Sequence, residues 1–262
     1  YSDDYYAGRG ADPLVDYVHE LDHPASTIRQ YEWQGIAEVV GRLAPVGPDT
    51  RWLDYGCGTG GLVLRLREAA GVQAFGFEEG WSVPRLVERG VPILDREGLD
   101  AAEGTFDVLT AIEVLEHIPD PVAELRRMAR LLRPGGTLFV TTGNAAPRRD
   151  DLLSWPYVIP EIHVSFFEPA NLALAMRRAG LETEFPGYGP GWDRIIRFKA
   201  LKNLKRRDVS ALDRLIPWRL AAPVLDRRHG VSAHPVGRRP ADPQALERNA
   251  AVSASAAGVP IS

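Results

Sequence analysis

RWLDYGCGTGG, residues 51–61, decides the fold. Two apolar residues, Trp52 and Leu53, run into an acid, Asp54, and the next seven residues hold Gly56, Gly58, Gly60 and Gly61. Residues without a Cβ let a backbone turn tightly and let a ligand lie against it. The apolar stretch LVLRLREAA follows at once, so the pattern is strand, glycine turn, helix, the opening unit of a ligand-binding α/β sheet. The spacing satisfies both GxGxxG and the looser GxGxG, and the glycines alone do not name the ligand.

Working outward, Ile28, Trp33, Ile36, Val39, Val40 and Leu43 recur at helical spacing behind Ser26, which is read as an N-cap. Downstream the pattern alternates. Strands are expected at 72–77, weakly at 91–94, at 106–112 (FDVLTAI) and at 137–142, with helices through WSVPRLVERG and from Pro121 to Leu132 between them. Strands separated by helices of this length pair in parallel through crossovers, which gives a doubly wound α/β sheet. A loop at 143–162 leads to a helix opened by Glu168-Pro169 and closed by Gly180. LETEF and RIIRFKA, separated by GYGPG, are read as a terminal antiparallel hairpin.

The expected organisation is an N-terminal arm and helix at 1–47, a ligand-binding domain at 48–200, a basic helical extension at 201–230 and a flexible tail at 231–262. In the extension Leu201, Leu204, Leu212, Leu215, Ile216 and Leu220 form an apolar stripe. It is read as docking on the core, with peripheral contact to a membrane or partner as the alternative.

No apolar run reaches 18 residues, so no membrane span is expected. The acidic, aromatic start YSDDYYAGRG does not read as a secretory leader, and the missing Met is read as trimming. A single cysteine, Cys57, excludes an internal disulfide and fits a reducing, cytoplasmic setting. The net charge of -4 conceals an asymmetry: residues 194–239 carry 13 Lys/Arg against three Asp/Glu, leaving -14 on the rest. Such a segment meets a polyanion, a membrane surface or the acidic body itself.

Asp54 bears on the ligand. A dinucleotide would set its pyrophosphate beside that carboxylate, whereas S-adenosylmethionine brings an ammonium and a sulfonium, which a carboxylate attracts. Glu78, ending the second strand, is placed to accept hydrogen bonds from ribose hydroxyls of either cofactor. Its neighbour Glu79 points to the other face.

Further along, EGTFDVLTAIEVLEHIPDP (103–121) and ARLLRPGGTLFV (129–140) resemble the class I S-adenosylmethionine-dependent methyltransferases, in the group that includes ubiquinone-pathway O-methyltransferases. The resemblance spans about residues 48–185 and implies a Rossmann-like, mostly parallel seven-stranded sheet ending in an antiparallel hairpin. It also implies that Asp54, Gly56, Cys57, Gly58 and Gly60 form the methionine-side loop, that Glu78 holds the ribose and that Ile112 lines the cofactor pocket. Cys57 then needs only to be small and is no nucleophile. Asp95 and Arg96 lie where such enzymes contact adenine, a contact left open here.

Glu113, Glu116 and His117 stand at i, i+3, i+4 and share a face if that turn is helical. Two carboxylates and an imidazole invite a divalent cation, Mg²⁺ or another, which would orient and acidify an acceptor hydroxyl. With His163 the set resembles the metal site of small-RNA 2′-O-methyltransferases. Three readings stand side by side: metal ligation by Glu113, Glu116, His117 and His163, His117 as a metal-free general base, and a structural cluster.

By the same resemblance the acceptor site draws on Tyr5, Tyr6, Tyr17, Trp155 and Tyr157. No paired basic and aromatic surface covers the cleft, which disfavours nucleic acid. The expectation is O-methylation of a small molecule, a sugar or secondary metabolite. Its rivals are an RNA or membrane-lipid methyltransferase steered by the basic segment, an NAD-dependent oxidoreductase, and a non-catalytic subunit.

Overall fold

Alternation along each strand separates two apolar layers. In the computed structural model, which describes residues 16–255, Trp52, Val108 and Phe139 face one side of the sheet and Leu53, Leu109 and Leu138 the other. Seven strands carry this pattern: β1 (Arg51–Tyr55), β2 (Gln73–Phe77), β3 (Ile93–Leu94), β4 (Phe106–Ile112), β5 (Leu132–Thr141), β6 (Glu182–Glu184) and β7 (Val236–Arg238). Their order is β3-β2-β1-β4-β5-β7-β6. The first five are parallel, and β7 runs antiparallel to both β5 and β6.

The helices cover both faces. Ahead of the sheet come α1 (Tyr17–Asp22) and α2 (Arg29–Leu43); α3 (Gly61–Ala70), α4 (Val83–Glu88), α5 (Arg96–Ala101) and α6 (Pro121–Leu131) are the crossovers. Beyond β5 lie α7 (Pro169–Arg178), α8 (Trp192–Asn203), α9 (Ala211–Leu215), α10 (Trp218–His229) and α11 (Pro243–Ser255). The Trp52 layer buries Ile36, Val39, Leu62 and Leu66 from α2 and α3 with Trp192 and Ile195 from α8. The Leu53 layer buries Leu99, Leu125, Met128, Leu172 and Met176 from α5, α6 and α7. At about 1.5–3 kcal/mol for each large side chain removed from water, these two layers dominate the stability.

Four expectations are corrected. RIIRFKA is not a strand: Trp192, Ile195, Ile196, Phe198 and Leu201 are buried at three- and four-residue steps, so the stretch is part of α8. The antiparallel partner of β6 is instead Val236–Arg238, and Val236 is fully buried between Phe139 and Glu184. The boundary at 200 and the tail from 231 therefore fail, because the sheet closes through β7 and α11 packs Leu246 on the Leu53 layer. Residues 256–262 of that tail lie outside the described residues. Ser26 does not cap α2; its hydroxyl donates to Asp208, 2.6 Å away, and Ile28 holds the cap position.

The fourth concerns the basic stripe. Leu201 docks, but Leu204, Leu212, Leu215, Ile216 and Leu220 are exposed. Residues turned inward from α9 and α10 include acids, Asp213 and Asp226.

Candidate active site

The glycine turn lies at the carboxyl end of β1, where an α/β sheet binds ligands. Not every glycine is open to a ligand. A Cβ on Gly61 would sit 2.0 Å from the Trp33 ring, and one on Gly56 would meet Val114 at 2.6 Å, so packing alone requires both. Gly58 differs. Its φ is +55°, and a Cβ there would meet only Tyr17, at 3.6 Å, so the space over it is not filled by the core. Tyr17, on α1, is the one described residue of the expected arm aromatics; Tyr5 and Tyr6 lie outside the described residues.

Asp54 is buried and accepts a 2.7 Å hydrogen bond from the Thr110 hydroxyl, which in turn accepts one from the Trp52 indole at 3.1 Å. Burial pushes its carboxyl up to about 7; the Thr110 bond opposes this, and the nearby Glu78 and Glu32 add to it. No cation pairs with Asp54 among the described residues. A buried acid surrounded by other acids fits a ligand that brings positive charge, such as the S-adenosylmethionine ammonium, and opposes a pyrophosphate.

Glu78 is fixed by three backbone amides: Gly58 N donates to Oε2 at 2.9 Å, and Glu79 N and Gly80 N donate to Oε1 at 3.0 Å. A carboxylate has about four lone-pair positions, so capacity remains for a hydroxyl. Glu79 turns away to Arg96, and Asp95 caps α5 through Gly98 N. Cys57 is buried against Gly76, and burial raises its thiol well above the usual range, which suits a small filler and not a nucleophile. Ile112 closes β4, half-buried at the edge of the Trp52 layer.

Beyond β4 the chain turns sharply. Glu113 takes a left-handed φ of 54°, and Leu115–His117 form one 3₁₀ turn. This splits the expected face. Glu113 Oε1 lies 2.9 Å from Lys199 Nζ, while Glu116 and His117 join His163. Among the described residues these three offer ligand atoms all within 4.8 Å of one another, so the four-residue metal set loses Glu113 to the lysine.

Tyr157 ties the halves together. Its hydroxyl lies 2.6 Å from Glu116 Oε1 and 3.2 Å from Glu113 Oε2, and accepts a hydrogen bond from Gly143 N. Glu116 also accepts from the Thr142 hydroxyl at 2.9 Å. Fully buried and beside Glu113, Glu116 is pushed up to about 8. Burial pulls Glu113 the same way, but the Lys199 ammonium outweighs it and holds this acid below its usual range.

His117 Nδ1 lies 2.9 Å from the Ile162 carbonyl and His163 Nδ1 faces that of Tyr157. A carbonyl partner puts the proton on Nδ1 and the basic lone pair on Nε2 in both rings. Their centroids are 4.9 Å apart, and Trp155 stacks on Tyr157 at 4.6 Å. Lys199 was missed from sequence because RIIRFKA was taken for a strand; helical spacing from Trp192 is the signal that finds it.

Residues 26–184 match the model of a methyltransferase domain. A ubiquinone biosynthesis O-methyltransferase of Xanthomonas axonopodis pv. citri is 36% identical over 189 residues, 65% of this chain and 78% of that protein. Among solved structures, a chain of the Haloferax volcanii complex of the Trm112 methyltransferase activator with a methyltransferase aligns over 81% of this chain and 92% of its own. Its TM-score is 0.54 at 20% identity. The cyclase SpnF aligns over 77% and 78% with TM-score 0.51 at 22% identity, so likeness of fold does not by itself name the reaction.

Proposed function

The chain belongs to the methyltransferase-domain family of S-adenosylmethionine-dependent enzymes, and on that premise we propose that it methylates a hydroxyl oxygen of a small molecule, a sugar or secondary metabolite, with His117 as the base. An NAD-dependent oxidoreductase is thereby set aside. Oxygen as the acceptor atom is supported by the names of the sequence relatives. The observation that supports the assignment is His117 in the turn that follows β4, the parallel neighbour of β1, so that it and the glycine turn after β1 both follow the carboxyl ends of adjacent strands, with its tautomer held by Ile162 O.

Asp54, Gly56, Cys57, Gly58, Gly60, Glu78 and Ile112 would hold the cofactor. Bound S-adenosylmethionine supplies an electrophilic methyl on a sulfonium, a good leaving group, so the protein has only to align the acceptor and take its proton. His117 Nε2 would accept the proton of the acceptor hydroxyl, its other ring nitrogen being held by Ile162 O. Burial, with the neighbouring Glu113 carboxylate, raises the Glu116 carboxyl above its usual range, which limits negative charge beside the incoming oxygen. Trp155 and Tyr157 form one wall for the acceptor.

A second reading rests on the three donors within 4.8 Å. One carboxylate and two imidazoles fit a borderline divalent cation such as Mn²⁺, Fe²⁺ or Zn²⁺ better than Mg²⁺, which prefers oxygen. Such an ion would acidify a coordinated hydroxyl, and His117 would be its ligand and not the base.

Methyl transfer from labelled S-adenosylmethionine to a panel of hydroxyl and amine acceptors, with and without EDTA, tests both. Transfer to hydroxyls that survives EDTA and is lost in His117→Ala supports the base; loss in EDTA with recovery on Mn²⁺ supports the ion. Transfer to amines alone would overturn the oxygen acceptor.

A further inference from the structure

The outer side of the segment between β6 and β7 carries large apolar side chains in addition to those it buries. Leu204, Leu212, Leu215, Leu220 and Val224 are 58–78% exposed, although a helix packed on a core normally turns such residues inward. Two acids turn inward, beside Trp218, Ala222 and Leu225 of α10. Asp213 is buried, completing a capping box with Ser210 and lying 3.2 Å from Arg197; Asp226 is buried and accepts from Ser232 N and Oγ, each at 2.6 Å. Both acids are committed to the fold, so their inward orientation is a built feature and the leucines are pointed outward by it.

The cations point outward with the leucines. Arg214, Arg219, Arg227 and Arg228 are exposed and none has a carboxylate partner among the described residues. On α9, Leu212 and Leu215 are one turn apart; on α10, Leu220 and Val224 are one turn apart, and Arg227 and Arg228 continue that line. On α10 an exposed apolar pair is thus followed by a cationic pair along one line of the helix.

We propose that the outward side of α9 and α10 is a docking surface for an anionic lipid bilayer, lying in the headgroup layer and not crossing it. Guanidiniums on long stems reach lipid phosphates while the leucines beside them enter the acyl boundary, the arrangement of an interfacial helix. Nucleic acid would use the arginines but leave the leucines in water. The charge distribution agrees: the segment is strongly basic and the rest of the chain carries -14, so an anionic surface attracts this side and repels the others. No described helix is long and apolar enough to cross a membrane. The carbonyl of Gly230, at the end of α10, accepts a 3.0 Å bond from Asn144 in the loop after β5, which ties this surface to the body of the fold.

The experiment is co-sedimentation of the full chain with phosphatidylcholine–phosphatidylglycerol vesicles, against pure phosphatidylcholine vesicles, at low and high salt. Binding is expected only to the anionic vesicles. At about 1 kcal/mol per basic residue near the surface, the pair Arg219→Gln and Arg228→Gln lowers partitioning roughly 30-fold. The pair Leu220→Ser and Val224→Ser lowers it at least tenfold at both salt concentrations. Retained binding in the Leu220/Val224 pair would overturn insertion and leave only electrostatic adhesion. Absence of vesicle binding, with either concentration-dependent dimers abolished by Leu220→Ser or salt-sensitive RNA binding, would overturn the membrane in favour of that partner. All four positions lie outside the active site, so calorimetric binding of S-adenosylhomocysteine by the variants stays unchanged and separates failure of docking from failure of the transferase assignment.

Discussion

Asp54 offers a test of the cofactor site that needs no acceptor. Its carboxyl is raised to about 7, so the unliganded protein holds it mostly protonated at pH 6 and mostly ionised at pH 8. A ligand ammonium is attracted to the ionised form, and below pH 7 binding must first release a proton. Affinity for S-adenosylhomocysteine is therefore expected to fall about tenfold from pH 8 to pH 6, following the ionised fraction. Asp54→Asn removes the charge: affinity at pH 8 drops by about 2 kcal/mol, roughly thirtyfold, and the dependence on pH flattens. Stability moves the opposite way. Because the folded pKa lies above the unfolded one, stability is fully present below about pH 4 and is lost as pH rises to 7, by about 4 kcal/mol at 1.36 kcal/mol per unit. Unliganded Asp54→Asn should accordingly melt above the wild type at pH 8, with the gap closing near pH 4. Titration calorimetry and thermal melts across this range read both effects. Equal wild-type affinity at pH 6 and pH 8, or an Asn variant with the wild-type slope, would refute the assignment of Asp54 to the cofactor's cationic end.

Lys199→Met should cost about 1–2 kcal/mol, between the values for surface and buried pairs because both partners are about a quarter exposed, and Glu113→Gln added to it should restore much of the loss in a melt. Gly61→Ala should yield little folded protein, since its Cβ would lie 2.0 Å from the Trp33 ring, whereas Gly58→Ala should fold with a modest penalty and lose cofactor affinity; equal soluble yields would contradict the packing. A chain ending at residue 200 lacks β7 and should fail to fold, while one ending at 240 loses chiefly the Leu246 contact, about 2 kcal/mol, and keeps its circular dichroism spectrum.

What could be read from sequence followed the strength of local patterns. The units around Trp52–Leu53, Val108–Leu109 and Leu138–Phe139 showed themselves because adjacent apolar residues must serve two faces of a buried sheet, and the glycine turn marked its ligand-facing end. β7 escaped because three residues, Val-Gly-Arg between prolines and arginines, carry too little periodicity to register; only pairing with β5 and β6 makes them a strand. α8 was mistaken for a strand because Ile195, Ile196 and Phe198 mimic a short apolar run, and the deciding positions, Trp192 and Leu201, lie at its ends. In the site, His117 and Glu116 were recognisable from their spacing, but the left-handed turn at Glu113 depends on tertiary contacts. So does the lysine that claims that carboxylate from 86 positions away.

The chain leaves the sheet at Glu184 and re-enters on the neighbouring strand at Val236, so everything between is a single excursion with adjacent ends. The entropy of closing such an excursion grows only logarithmically with its length, which leaves its outer surface free to be rewritten or exchanged as a module. Yet the same excursion delivers Lys199 to Glu113. Any replacement that alters how the module seats on the body therefore changes the charge balance around Glu113 and Glu116, and an exchanged module must carry that ammonium with it.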